Sequence, residues 1–273
     1  MSNHFLEKED YEEPCCPLKR RTDVMPIPTM RVMEKLDEYL GRNDYVSAEK
    51  HLKYWLAEAV AGNDERGKIT VLNEQIGLYR KLGREKECME AIDAVLALSA
   101  EADMENTASF GTTLVNVATG YKAFGKAEKA IPFFEKARTV YEAVLPPQDG
   151  RLGGLYNNMA LALAEVNDFC GAEKLYSKAL EVMAKQAHGE AEMAITYLNM
   201  ADLTAAEFGE EIGGKRIREY VEKAEKLLDT PSLPRNGYYA FVCEKCAPSF
   251  GYYGYRLAEQ KFMQRAREIY ERS

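Results

Sequence analysis

The sequence repeats itself at a fixed interval, and no other feature restricts its fold so severely. "VATGYKAFGKAEKAIPFFEKARTVYE", from Val117, matches "MALALAEVNDFCGAEKLYSKALEVMA", from Met159, at an offset of 42 residues. At that offset Ala118 falls on Ala160, Ala130 on Ala172, Phe134 on Tyr176 and Ala137 on Ala179. The same step backward carries Tyr121 to Tyr79 and Gly125 to Gly83. Forward, "YLNMADLTAAEFG" and "REYVEKAEKLLD" continue the pattern, with a few extra residues around Gly213 and Gly214. An earlier copy reads "VMEKLDEYLGRNDYVSAEKHLKYWLAEA", and a last one "YYAFVCEKCAPSFGYYGYRLAEQKFMQRAREIYER". A period of this length describes a supersecondary unit that buries its apolar face only by stacking on its neighbours.

Each copy holds two amphipathic stretches separated at Gly83, Gly125, Asn167 or Gly254. Glycine and asparagine suit a helix C-terminus, where the left-handed conformation costs them little. Small residues flank an aromatic in the second stretch, so helices approach closely and the ring fills the gap between pairs. Pro146 with Pro147, and Pro231 with Pro234, end two second helices. Pro132 needs no kink if it lies in the first turn of its helix. The pattern predicts an all-α, right-handed superhelical solenoid of six antiparallel helix pairs, near 29–62, 67–102, 105–145, 150–187, 190–229 and 236–272. A flexible tail over residues 1–28 precedes this repeat domain of residues 29–273.

Composition narrows the function classes. The chain is 46% hydrophobic, enough for a continuous core, and 36 basic against 44 acidic residues leave a net charge of −8. No basic face dominates, which argues against a nucleic-acid partner. No run is long and apolar enough to span a bilayer, and "MSNHFLEKEDYEEPCCPLKRR" lacks the apolar centre of a signal peptide. The expectation is a cytoplasmic protein without membrane contact. The six cysteines are too few for a disulfide scaffold and are expected reduced.

These spacings resemble the tetratricopeptide repeat (TPR) family, in which a small residue and an aromatic in the first helix precede a small–aromatic–small spacing in the second. The resemblance covers about residues 29–273 and is strongest over 105–187. The long period, with "YNNMA" and "AEKLYSKALEV", is similar to the long-helix version found in kinesin light chains. It implies a non-enzymatic adaptor that binds protein or peptide without a cofactor.

One polar residue recurs inside the apolar first helices. Asn116 and Asn158 are 42 residues apart, Asn199 follows 41 later, and Asn73 lies 43 before Asn116. Asparagine is a mediocre helix former, because its side chain competes for backbone hydrogen bonds. First helices of such a solenoid line a concave groove, so these amides would form a row along it. An amide offers both a donor and an acceptor, matching the main chain of an extended peptide. The resemblance carries that role, known as an asparagine ladder in kinesin light chains and in the repeat domain of the GlcNAc-transferring enzyme, onto Asn116, Asn158 and Asn199. It extends less directly to Asn73 and Asn157. The alternative is that the amides bond the neighbouring helix and fix its register. Arg80 and Lys122 fall at equivalent places late in their first helices, Lys245 falls at the ladder position of the last copy, and all three could receive a carboxylate or acidic side chains. The two-carboxylate clamp of chaperone-binding relatives is not expected, since its positions hold Glu74, Val115 and Ile195.

Cys243 and Cys246, in "FVCEKCAP", have the spacing of a redox or zinc-binding pair. Zinc needs two further ligands, and His4, His51 and His188 are scattered. On a helix both sulfurs share one face and pack as small hydrophobes, so no metal is expected. The tyrosine-rich last copy suits a cap over the open end of the stack, with a dimer contact or an aromatic pocket at the end of the groove as alternatives, and a monomer or weak homodimer is expected. No phosphate loop, metal-binding histidine pair or nucleophile elbow is present. The expected function is holding an extended peptide; a thiol- or zinc-dependent protein and a structural assembly subunit are the alternatives.

Overall fold

The computed structural model describes residues 24–101 and 104–272. His4, Cys15, Cys16 and the first part of the tail, through Asp23, lie outside the described residues. Residues 24–28 pass the turn before the third helix. There the Met25 N–H donates to the Gly62 carbonyl (2.9 Å) and the Ile27 N–H to Asp64 Oδ2 (2.9 Å).

Among the described residues there are eleven helices and no strand. They are α1 (Thr29–Gly41), α2 (Tyr45–Ala61), α3 (Glu65–Lys81), α4 (Glu85–Glu101), α5 (Ala108–Ala123) and α6 (Ala127–Val144). α7 (Gly150–Glu165), α8 (Phe169–Met183), α9 (Glu190–Leu228), α10 (Gly237–Tyr252) and α11 (Arg256–Tyr270) follow. Adjacent helices pack in pairs, and α9 is itself a pair joined through a kink at Gly209. The all-α repeat of six pairs is therefore present. α1–α6 belong to one compact unit ending at Leu145, and α7–α11 to a second beginning at Pro146.

The turns explain why so regular a sequence keeps reversing direction. Asn43, Asn63, Gly83, Gly125, Asn167 and Gly254 all have positive φ, between 51° and 84°. The N–H of the next residue donates back to the carbonyl five positions earlier: Asp44 to Tyr39, Asp64 to Ala59, Arg84 to Tyr79, Lys126 to Tyr121, Asp168 to Leu163 and Tyr255 to Phe250. This closure satisfies a helix-end carbonyl that would otherwise lack a partner. Three of the turns are Asn-Asp, and their aspartates Asp44, Asp64 and Asp168 then accept from the backbone N–H three residues on. One dipeptide thus ends a helix and caps the next, each cap contributing about 0.5–2 kcal/mol.

Ala130, Phe134, Ala137, Ala172, Tyr176 and Ala179 are all fully buried, as their repeat positions predict. Pro132 is placed differently. α6 begins at Ala127, so Pro132 sits in its second turn and forgoes a bond to the Glu128 carbonyl. The first-turn placement fails because the preceding tight turn starts the helix earlier than the apolar pattern suggests.

Candidate functional site

In the first unit, α3 and α5 carry the amides Asn73 and Asn116, which are 4% and 8% exposed. Asn116 Nδ2 donates to Asn73 Oδ1 at 3.0 Å. Asn73 Nδ2 donates to the Ile69 carbonyl at 2.9 Å and to Thr113 Oγ1 at 3.0 Å. Asn73 therefore spends its acceptor and both donor hydrogens inside the protein. Its neighbour α5 is buried at every position from Phe110 to Gly120. Arg80 and Lys122, on the last turns of α3 and α5, are half-buried, and burial pulls the Arg80 guanidinium below its ordinary range.

The second unit repeats the amide pair under thinner cover. Asn199 Nδ2, on the first half of α9, donates to Asn157 Oδ1 on α7 at 3.0 Å. The Thr196 hydroxyl donates to the same oxygen at 3.2 Å. Asn158 Nδ2 turns back to the Gly154 carbonyl at 2.9 Å. Asn157, Asn158 and Asn199 are all half-buried. Among the described residues, no donor meets Oδ1 of Asn158 or of Asn199. Asn157 rather than Asn158 thus meets Asn199, at the 42-residue spacing.

Charge surrounds this second pair. Glu192 lies one turn before Thr196, and burial holds its carboxyl above the usual carboxylate range, opposed by the nearby Lys245 charge. Lys245 itself is exposed on α10. Asp202, one turn beyond Asn199, accepts from the Tyr253 hydroxyl at 2.6 Å. From Gln186 to Gly214 the sequence holds six carboxylates and neither lysine nor arginine.

Cys243 and Cys246 lie in the core of the second unit among Val221, Ala224, Tyr239 and Phe250. Both are free thiols; burial raises Cys243 and pushes Cys246 up to about 12. Among the described residues no group of three or more His, Cys, Asp or Glu is arranged to hold a metal ion. His51 contacts the Val32 carbonyl at 2.9 Å, and His188 sits at a positive-φ turn. Of the tyrosine-rich segment, Tyr239 and Phe250 are core residues, and the Tyr239 hydroxyl donates to the Leu228 carbonyl at the end of α9. No described helix is long and apolar enough to cross a membrane.

No protein-family model matches the chain, and no curated protein sequence does. Solved structures do. BtubC (BKLC) from P. vanneervenii is 20% identical with a TM-score of 0.63, over 73% of this chain and 79% of that one. A Podosopora anserina putative kinesin light chain with nearly identical TPR-like repeats is 17% identical with a TM-score of 0.53, over 74% and 94%. A single-residue variant of those repeats gives 17% and 0.54, over 76% and 97%. At these identities the likeness concerns the fold, and the fold of this chain is a TPR-like helical repeat.

Proposed function

We propose that the protein is a non-enzymatic interaction scaffold that holds an extended peptide against the first helices of its second unit. One observation carries this. Asn158 and Asn199 are half-buried on neighbouring first helices, and no described donor meets the side-chain oxygen of either. Each oxygen can accept a backbone N–H, and neither selects a side chain, so main chain is the natural ligand. Asn157 is the spacer that fixes Asn199. Lys245 can receive a carboxylate of the peptide, while Glu192 and Asp202 favour basic side chains beside it.

The thiol alternative has less support. Burial raises both thiols and so disfavours a nucleophilic thiolate, and among the described residues no group of three or more His, Cys, Asp or Glu is arranged to hold a metal. The TPR-like fold itself favours a protein partner, and among the described residues no catalytic constellation converges on either unit.

The test uses peptides selected on the protein from a random library and measured by fluorescence anisotropy. Asn158→Ala with Asn199→Ala should weaken a selected peptide while the protein stays helical. N-methylation of single peptide bonds should weaken binding more than substitution of most side chains. Unchanged affinity of the double variant would end the proposal.

A further inference from the structure

The final helix pair leaves uncovered two positions that every earlier pair buries. Leu52, Ile92, Phe134, Tyr176 and Met263 each stand nine residues past the turn residue of their pair. In the fifth pair the turn residue is Gly209, 42 residues after Asn167, and its ψ of 163° is not helical. Ala179 and Ala224 are 45 apart, so three residues, close to one helical turn, are added after Gly209 and bring Val221 to the equivalent place. The first four of these and Val221 are at most 1% exposed, whereas Met263 is 38% exposed. Seven residues further on, Ala59, Ser99, Tyr141, Met183 and Leu228 are at most 6% exposed, but Tyr270 is 39% exposed. Between them Ala266 stays buried, as do Ala137, Ala179 and Ala224. The apolar face of the repeat thus continues through α11, and its cover does not.

The earlier pairs show what that cover is. Leu52 shares a core cluster with Val71 and Leu78 of the next first helix, α3. Ile92 lies against α5, since a Cβ at Gly120 would come within 2.8 Å of Ile92 Cδ1. Gly120 is the copy of Leu78, 42 residues on. In the second unit Val221 and Leu228 share a cluster with Val242 and Cys246 of α10. Each seat therefore takes one helix, which presents residues four and seven apart.

Beside Met263 the seat is an open crevice of about 380 Å³, lined by Glu244 of α10 and by Met263, Ala266, Arg267, Tyr270 and Glu271 of α11. The Tyr270 hydroxyl donates to Glu244 Oε2 at 3.3 Å, which joins the two walls. Its charge is mixed. Glu244, Arg267 and Glu271 are exposed, and so are Lys245, Glu268 and Arg272 beside them in sequence, three of each sign. The crevice therefore selects shape and apolarity rather than one sign of charge. A second copy cannot continue the stack here. Where α3 presents Val71, Gln75 and Leu78, the equivalent face of α1 carries Arg31, Lys35 and Glu38, all exposed and charged. The first pair thus has the polar outer face that closes a solenoid, and the final pair does not.

We infer that the crevice between α10 and α11 seats an amphipathic helix of a partner protein, with apolar residues at positions i, i+4 and i+7 lying over Met263, Ala266 and Tyr270. That helix takes the place which the next first helix takes in an earlier pair. Asn157, Asn158 and Asn199 do not line the crevice, so the inference stands apart from peptide binding at the amides.

The probe is a fluorescein-labelled helical peptide with leucine at i, i+4 and i+7, glutamine, lysine and glutamate elsewhere, and no net charge. Wild-type protein should bind it, with affinity little changed by salt, because the crevice carries both signs. Met263→Glu should weaken binding by at least about tenfold, as a charge set at the apolar centre of an interface does. Met263→Ser with Tyr270→Ser should weaken it similarly without adding a charge. Circular dichroism of both variants should match wild type, since neither side chain is in the core. Asn158→Ala with Asn199→Ala should bind the probe as wild type does. Sedimentation of the protein alone should show a monomer. A dimer dispersed by Met263→Glu would place a second copy in the crevice and overturn the inference. So would failure of the wild type to bind the peptide, or equal binding by the two variants at Met263.

Discussion

The pair Asn73–Asn116 in the first unit and the pair Asn157–Asn199 in the second make the same amide-to-amide bond at the same 3.0 Å. Their cover differs. Asn73 and Asn157 both accept at Oδ1, and no described donor meets Oδ1 of Asn116 or of Asn199, but Asn73 and Asn116 are buried whereas Asn157 and Asn199 are half-buried. A polar group that is buried and satisfied stabilises position; one that is reachable and unsatisfied has capacity for a ligand. One residue type, at neighbouring repeat positions, thus fixes register in the first unit and, on the proposed reading, offers recognition in the second. Cover, not chemistry, makes the difference.

The comparison breaks first on stability. Asn73→Ala with Asn116→Ala removes a buried network and leaves Thr113 with a lost partner. The expected loss is about 2–4 kcal/mol, from buried bonds and the space they vacate. Urea titration measures it, and an unchanged midpoint would show that the first-unit amides fix nothing. Asn158→Ala with Asn199→Ala should cost less than about 1 kcal/mol of stability, as half-exposed positions do. Its effect should appear in peptide affinity, at about 1–3 kcal/mol for two neutral hydrogen bonds. A large fall in melting temperature with affinity unchanged would make both pairs structural.

Two glycines sharpen the contrast within the helix pairs. Gly111 and Gly153 are 42 residues apart and occupy equivalent seats. A Cβ at Gly111 would strike the Tyr141 ring, whose hydroxyl is tied to Thr112 at 2.6 Å. At Gly153 it would strike the end of Met183, which can swing aside. Gly111→Ala should therefore destabilise by about 1–3 kcal/mol and Gly153→Ala by well under about 1 kcal/mol. Equal melting temperatures would mean that the first unit is no more rigid than the second.

Much of the fold is legible in the amino-acid sequence, because repetition turns weak local signals into one strong signal. The alanines around Phe134 and Tyr176, and the turns at Gly83, Gly125 and Asn167, reinforce one another across copies. Helix phase is not legible. Asn157 and Asn158 point about 100° apart on their helix, and which of them meets Asn199 depends on a small rotation set by packing. Apolar spacing misplaces Pro132 for a related reason, since it marks the middle of a helix better than its first turn. The extra residues near Gly213 are visible as an interruption of the period. That they form an added helical turn cannot be read, because it depends on the backbone conformation of Gly209 rather than on its identity.

The smallest expected effect concerns the ion pairs that join neighbouring repeats in both units. In the second, Asp229 at the end of α9 accepts from Lys261 (2.7 Å) and Arg265 (2.6 Å) of α11. Burial pushes its carboxyl up, but the two cations outweigh burial and hold it below the ordinary aspartate range. In the first, Glu49 is likewise held low by Lys53 and by Arg84, the latter at 2.7 Å. A carboxylate whose folded pKa is depressed contributes stability above its unfolded value, near about 4, and loses it as pH falls through the folded value. Both units should therefore weaken together below about pH 4. Asp229→Asn should flatten that acid limb in the second unit, and Glu49→Gln in the first. Each should cost no more than about 1 kcal/mol at neutral pH, because the pairs are partly exposed and screened. Neutral amides do not titrate, so the variants at Asn73 and Asn116 should keep their deficit at every pH. A deficit that vanished on acidification would trace the first unit's extra stability to its charges, and the contrast between the two amide pairs would lose its physical basis.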